Sequence, residues 1–333
     1  MKHCLNPAER FSNTLLLSAI QRAASDIHFC PFLHQTDIYF RIQGNRIFYQ
    51  SIAKSQYDML LTYYKFTAGM DIGEIRKPQD GKINFQSENK TYALRLSTLP
   101  VSSSESLALR ILPQSDVLQL EKLFLFPTQL TTIKEWISSK SGLILLTGPT
   151  GSGKTTTLYA LLQALLLEQS YQTITLEDPV EKQIDHILQV QVNEKAGMSY
   201  QTGLKAALRH DPDILMVGEI RDKSTAQFAF QAALTGHLVL STLHARDAFG
   251  TVHRLMEMGI QKTDLEQTLI AVASLQLLPM KTHTQTPARA AILELLDKQL
   301  LHDAIRGTDP QSQPGFFSFD RLRRKAYTYG FIE

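Results

Sequence analysis

The run GPTGSGKTTT, Gly148 to Thr157, constrains this chain more than any other stretch, because it stands between an apolar run, Leu143 to Leu146, and a leucine-rich segment of helical character. It matches the pattern G-x-x-x-x-G-K-[ST] at Gly148, Gly153, Lys154 and Thr155, with the strand before and the helix after that the pattern needs. Glycines let the backbone curl until successive N–H groups converge on a phosphate, and the helix that follows adds its unpaired N–H groups and positive dipole end. Lysine neutralises the β and γ oxygens, and the Thr155 hydroxyl is placed to ligate Mg²⁺. The expected ATP-binding set is therefore Gly148, Pro149, Thr150, Gly151, Ser152, Gly153, Lys154, Thr155 and Thr156. A turn that merely joins strand to helix needs no such spacing.

A chain of 333 residues exceeds what one core usually supports, so two domains are expected. Hydrophobic residues make up 43% and charged residues 20%, which excludes a largely disordered protein. The net charge is +2, from 34 basic and 32 acidic residues, and argues against a dedicated nucleic-acid surface. The basic cluster Arg321, Arg323, Arg324 and Lys325 reads as a solvated helix face. Cys4 and Cys30 are too few for a disulfide framework and lack C-x-x-C spacing, so a reducing compartment fits. With no signal-like N-terminus and no apolar run of about 18 residues, a cytoplasmic protein is expected, touching a membrane only through a partner.

The chain changes grammar near its first third. Phe11, Leu15, Ala19 and Ala23 recur at helical spacing over Arg10 to Ser25, and a second helix is expected over Ser55 to Ala68. Around them lie short β-type stretches: Asp26 to Cys30, Thr36 to Ile42, Arg46 to Gln50, Lys82 to Gln86, Thr91 to Ser97 and Leu107 to Leu112. This predicts an α+β domain over 1–113 with one antiparallel sheet, a linker over 114–127, and a second domain over 128–333. After a helix at Thr128 to Ser139, strands alternate with helices, the pattern of a parallel sheet with right-handed crossovers. The expected strands are Leu143 to Leu146, Thr173 to Leu176, Leu188 to Val192, Ile214 to Val217 and Leu238 to Ser241. From Asp247 onward the chain reads as mainly helical, with one further apolar stretch at Ala288 to Leu296 and a surface loop at Thr282 to Pro287.

Three clusters fall where a nucleotide hydrolase needs them. In DPDILMVGEIRD an apolar strand ends at Gly218-Glu219, and Glu219 is expected to orient or polarise the attacking water, against the alternative of a charged residue before the next helix. In ITLEDPVE another strand stops at Glu177 and Asp178, whose carboxylates could hold the Mg²⁺ shell or the water. In TGHLVLSTLHA, His237 and His244 bracket one strand; either alone is ordinarily a structural hydrogen-bonder, and together they point to a γ-phosphate sensor.

These four boxes, in this order, resemble the nucleotide site of the type II secretion and type IV pilus ATPases. ASDIHFCP, YFRIQG, KPQDGKI and RLSTLP resemble that family's first domain, so the similarity covers residues from about 20 to 280. The resemblance implies an α/β fold: a RecA-like P-loop motor domain preceded by a smaller α+β, PAS-like domain, in a homohexameric ring. It implies that Glu177 and Glu181 form the acidic box near Mg²⁺, that Glu219 is catalytic, and that His237 and His244 form the histidine box. It also assigns Arg95 and Arg110 to the phosphates from the first domain and Arg221 to the site beside Glu219. Two cysteines allow no tetracysteine zinc insert, and the start of the chain near the second of the usual N-terminal domains implies a short form. The ending RRKAYTYGFIE, with RLSTLP and LALRILP, looks more like the competence type than the retraction type. The implied function is an ATP-driven motor that assembles a competence pseudopilus for DNA uptake, docked on a polytopic inner-membrane platform protein and acting on pseudopilins indirectly. No direct nucleic-acid contact is expected. The rivals are a pilus retraction motor and a RecA-like nucleic-acid translocase.

Overall fold

The computed structural model describes residues 6–87, 90–102, 104–113, 118–281 and 289–332. Cys4, the Thr282 to Pro287 loop and residues 114–117 of the expected linker lie outside the described residues. The chain divides into two compact units, 1–116 and 117–333.

In the first unit, helix α1 (Pro7–Gln21) opens with Pro7 after an Asn6 cap whose side chain accepts from the Ala8 N–H at 3.1 Å. It buries Ala8, Leu15, Leu16 and Ala19 along one face. The helix ends four residues before the expected Ser25, because Ala23 turns left-handed at φ 52° and Ala24 already begins a strand. Strands β1 (Ala24–Pro31), β2 (Gln35–Ile42) and β3 (Asn45–Ala53) precede helix α2 (Lys54–Thr67). Strands β4 (Gln79–Ser87), β5 (Lys90–Val101) and β6 (Ser104–Pro113) follow it. All six form one antiparallel sheet in the order β3-β2-β1-β6-β5-β4. Alternate residues such as Ile27, Phe29, Leu94, Leu96 and Leu109 are buried in a core shared with Leu15, Leu16, Tyr57 and Tyr64 from the two helices. The opposite face carries a row set by register alone: Lys82, Arg95, Arg110, Asp26, Arg41 and Arg46 stand opposite one another across the six strands.

The second unit begins earlier than expected. Leu120, Phe124 and Phe126, within the stretch read as a linker, are buried in its core, and Leu123 and Leu125 exchange backbone hydrogen bonds with Ala291 at 2.8 and 2.9 Å. Helix α3 (Pro127–Ile137) leads to strand β7 (Gly142–Thr147) and, across the Gly-rich loop, to helix α4 (Lys154–Glu168). Then come strands β8 (Thr173–Glu177) and β9 (Leu188–Gln191), helix α5 (Tyr200–Ala207), strand β10 (Ile214–Val217) and helix α6 (Lys223–Leu234). Strand β11 (Leu238–Leu243), helices α7 (Ala248–Glu257) and α8 (Lys262–Thr268), strands β12 (Leu269–Pro279) and β13 (Arg289–Asp297), and helices α9 (Lys298–Arg306) and α10 (Phe319–Thr328) complete it.

Its sheet runs β13-β12-β7-β11-β10-β8-β9, parallel throughout except for the β12–β13 pair. Every residue of β7, β8, β10 and β11 is buried, as strands covered on both faces must be. Along β7, Leu143 and Leu145 join the core on one face, while Ile144 and Leu146 join the core on the other with Leu158, Leu161, Leu162 and Leu165 of α4. Strand β12 corrects the expectation of a mainly helical C-terminal part. LIAVASLQLLP is apolar almost throughout, and without alternation its period cannot separate a buried strand from a buried helix; pairing with β7 and β13 decides it. The basic face of α10 is solvated, with Arg321, Arg323 and Arg324 exposed; Arg323 also reaches Gln276 at 2.7 Å, and Lys325 lies over the rings of Phe126, Phe317 and Tyr329.

Candidate active site

The Gly-rich loop leaves the carboxyl end of β7, where ligands of open α/β sheets bind. At Gly148 the backbone takes φ +136°, and a Cβ there would stand 2.7 Å from the Leu275 carbonyl oxygen and 2.8 Å from Ser152 Oγ. Only glycine suits both the conformation and the space. Gly148→Ala is expected to destabilise the protein by about 2 kcal/mol or more and to weaken ADP binding. Thermal melts with and without ADP read both effects, and an unchanged melt contradicts the assignment.

Gly153, at φ +94°, caps α4 with no side-chain hydrogen bond, so the first N–H groups of the helix remain available to an anion. Lys154 is the first helical residue and is only 9% exposed. Its Nζ donates to the carbonyl oxygens of Gly148 at 2.7 Å and Pro149 at 3.0 Å. Burial pulls its pKa below the ordinary lysine value, and the Glu219 carboxylate opposes that shift.

A cavity of about 580 Å³ opens beside this helix end. Thr155 and Thr156 line one side; Glu177, Asp178, Glu181, Glu219, Arg221 and His244 line the other. Glu219 follows β10 and Gly218, whose N–H donates to Leu176 O at 2.8 Å and whose carbonyl accepts from Thr242 Oγ1 at 2.7 Å. The carboxylate is thus delivered between β8 and β11. One of its oxygens accepts from Arg221 Nε at 2.9 Å, and the other lies 3.2 Å from His244 Nε2. Arg221 Nη1 donates to Asp178 Oδ2 at 3.0 Å. The hydrogen bond to Glu219 is the main reason that the Arg221 guanidinium holds its proton even more firmly than usual.

Two expected site residues are placed differently. Glu177, at 3% exposure, already has partners on both oxygens: the Tyr159 hydroxyl on one, Thr175 Oγ1 at 2.6 Å and Gln189 Nε2 at 3.1 Å on the other. It is a hub of hydrogen bonds at the edge of the cavity, with both oxygens already engaged. His237 stands at the amino end of β11, roughly 20 Å from His244 along the strand, with its Nδ1–H donating to the Ala232 carbonyl at 2.9 Å. It closes the turn after α6 and does not line the cavity. Arg95 and Arg110 belong to the first unit, where Arg110 Nε donates to Asp26 Oδ1 at 2.8 Å. Although burial opposes the charge, hydrogen bonds from Arg110 and Ser25 hold the Asp26 carboxyl below the usual range. Arg95 is half-buried, and its Nη2 has no hydrogen-bond partner.

Reading the sequence missed Arg289 and Leu277, which reach the cavity from β13 and β12, and Tyr200 from α5. Tyr159 was also passed over. Arg289, Leu277 and Tyr200 sit in apolar or loop-like contexts with no spacing signal, and only tertiary pairing brings them to the cavity. Tyr159, by contrast, follows the P-loop on α4 itself, and its contact with Glu177 of β8 is what tertiary packing adds. Among the described residues there is no cluster of three or more His, Cys, Asp or Glu side chains that could hold a metal ion.

A Gly-rich loop opening a helix at the carboxyl edge of a parallel sheet, with a restrained carboxylate across the cavity, defines a RecA-like P-loop nucleotide hydrolase. The family model described as Type II/IV secretion system protein matches residues 2–312. The chain is 39% identical to competence protein ComGA of Bacillus subtilis (strain 168) over 98% of its own length and 96% of that protein's. It is 42% identical to competence protein ComGA of Halalkalibacterium halodurans over 97% of its own length and 95% of that protein's. Among solved structures, the pilus retraction motor PilT with bound ADP is similar at TM-score 0.78 and 28% identity, covering 99% of this chain and 95% of that one. The chain belongs to the type II/IV secretion system protein family, as its four boxes implied.

Proposed function

We propose that this protein is the ATP-hydrolysing motor that drives assembly of a competence pseudopilus for DNA uptake. One observation carries the chemistry: a single cavity joins the open helix end of the P-loop to Glu219, which Arg221 and His244 hold in place. Near full-length similarity to two competence proteins favours assembly over the retraction role of the more distant PilT.

In this reading the ATP phosphates displace the loop carbonyls from Lys154 Nζ, and the N–H groups of Lys154, Thr155 and Thr156 receive them. Glu219 orients the water for in-line attack on the γ-phosphorus, with ADP as leaving group. Arg221 and His244 keep its carboxylate aimed. Thr155 directly, and Glu181 or Asp178 through water, would hold Mg²⁺, which when bound neutralises the β and γ oxygens. Arg95 and Arg110 supply guanidinium forks to the γ-phosphate.

The working form is a homohexameric ring on the cytoplasmic face of the membrane, docked on a polytopic platform protein. Among the described residues no helix is long and apolar enough to cross a membrane. Steady-state ATPase assays against protein concentration test the assembly. The rate per subunit rises with concentration, and added single- or double-stranded DNA leaves it unchanged, because DNA is cargo of the pathway and not a ligand of the motor. Strong stimulation by DNA at a concentration-independent rate points to a translocase instead.

A further inference from the structure

Tyr159 stands five residues after Lys154 on α4, and its side chain is 2% exposed. Its hydroxyl donates to Glu177 Oε2 and accepts from the backbone N–H of Glu181 at 3.2 Å and of Lys182 at 3.4 Å. Burial and the adjacent carboxylate push its pKa far above the ordinary tyrosine value, so the hydroxyl keeps its proton and remains a donor. Gln189 closes the same knot from β9. Its amide nitrogen donates to Glu177 Oε1 at 3.1 Å and to Lys182 O at 2.9 Å, and its amide oxygen accepts from Ile184 N–H at 2.8 Å. One phenol thus ties the helix that opens on the phosphate site to the segment that bears Asp178 and Glu181. From Asp178 the chain of contacts continues through Arg221 to Glu219.

We propose that Tyr159 is a positioning residue for hydrolysis: its hydroxyl fixes the acidic segment 177–182 against the P-loop helix and thereby, through Asp178 and Arg221, fixes Glu219. The apolar ring alone would serve α4 packing equally well. The hydroxyl is what neither packing nor phosphate binding requires, and it satisfies a buried carboxylate and two backbone N–H groups at once. The contact joins the nucleotide-binding and water-orienting halves of the cavity. Its loss should therefore disturb turnover and leave the binding of a ligand without a γ-phosphate alone.

The inference rests on the cavity being a hydrolytic site, and the test separates the two. In Tyr159→Phe the ring stays in place and only the hydrogen bonds go. Amide hydrogen exchange on the nucleotide-free protein should show the Glu181 and Lys182 N–H groups exchanging about tenfold faster or more. ATP turnover should fall about 10- to 100-fold while ADP affinity stays within about twofold. Adding Tyr159→Phe to Glu177→Gln should slow turnover little beyond Glu177→Gln alone, since both act through one contact. Parental exchange at these amides, turnover within about twofold of the parent, or multiplicative effects in the double variant each overturn the proposal. An inactive parent sinks the hydrolase reading instead, and amide exchange then decides the coupling by itself.

Discussion

Glu219→Gln binds ATP with nearly parental affinity and turns it over at least about 100-fold more slowly. Glutamine is isosteric, still accepts a hydrogen bond from Arg221 Nε, and keeps its place between β8 and β11, so the fold and the phosphate cradle are undisturbed. What disappears is the negative charge that polarises water, together with one of the two carboxylate pairings of Arg221, the other being to Asp178. Binding of ATP measured alongside single-turnover hydrolysis separates the two effects. Turnover near the parental rate would move the catalytic role to Asp178 or Glu181, the other carboxylates on that side of the cavity with access to it.

Lys154→Ala produces a different loss, in both binding and chemistry. The lysine amine is the cation that emerges among the loop carbonyls beside the uncapped helix end, and without it the β and γ oxygens meet only backbone N–H groups. Turnover falls below detection, and ATP affinity drops at least about tenfold, the equivalent of one charge-assisted hydrogen bond. The loop carbonyls that lose their donor can turn to water, so the melting temperature shifts by only a few degrees. Equilibrium binding of ATP and a thermal melt read both quantities. Parental affinity in this variant would mean that the loop is not the phosphate cradle.

The two variants fail at different steps because the site is assembled from two kinds of information. The cradle is local: a strand, glycines at set spacing and a helix start follow one another in ten residues, and each is dictated by backbone conformation that the residue types announce. Gly148 illustrates this, since its positive φ and the 2.7 Å approach of the Leu275 carbonyl demand what the pattern supplies. Glu219 was legible for the same reason, as a strand that ends in glycine and an acid. The all-buried parallel strands were legible from their uninterrupted apolar runs.

Where the sequence was misread, the deciding contacts join distant segments. Strand β12 has a composition that suits helix or strand, and its pairing with β7, more than 120 residues earlier, settles the matter. His237 and His244 are equivalent in sequence, one at each end of a strand. The direction of β11 alone puts His244 at the catalytic edge and His237 at the far one. Glu177 reads as a free carboxylate until Tyr159, Thr175 and Gln189 close on it. The basic row of the first unit, from Lys82 to Arg46, exists only through the register of six strands. By itself the sequence determined the nucleotide chemistry, the two-part organisation and the family, because these depend on residue types at short, fixed spacing. The tertiary structure alone decided which acids and histidines line the cavity beside the P-loop and which hold others in place. Strand direction and the competition for hydrogen-bond donors arise only when distant segments pack.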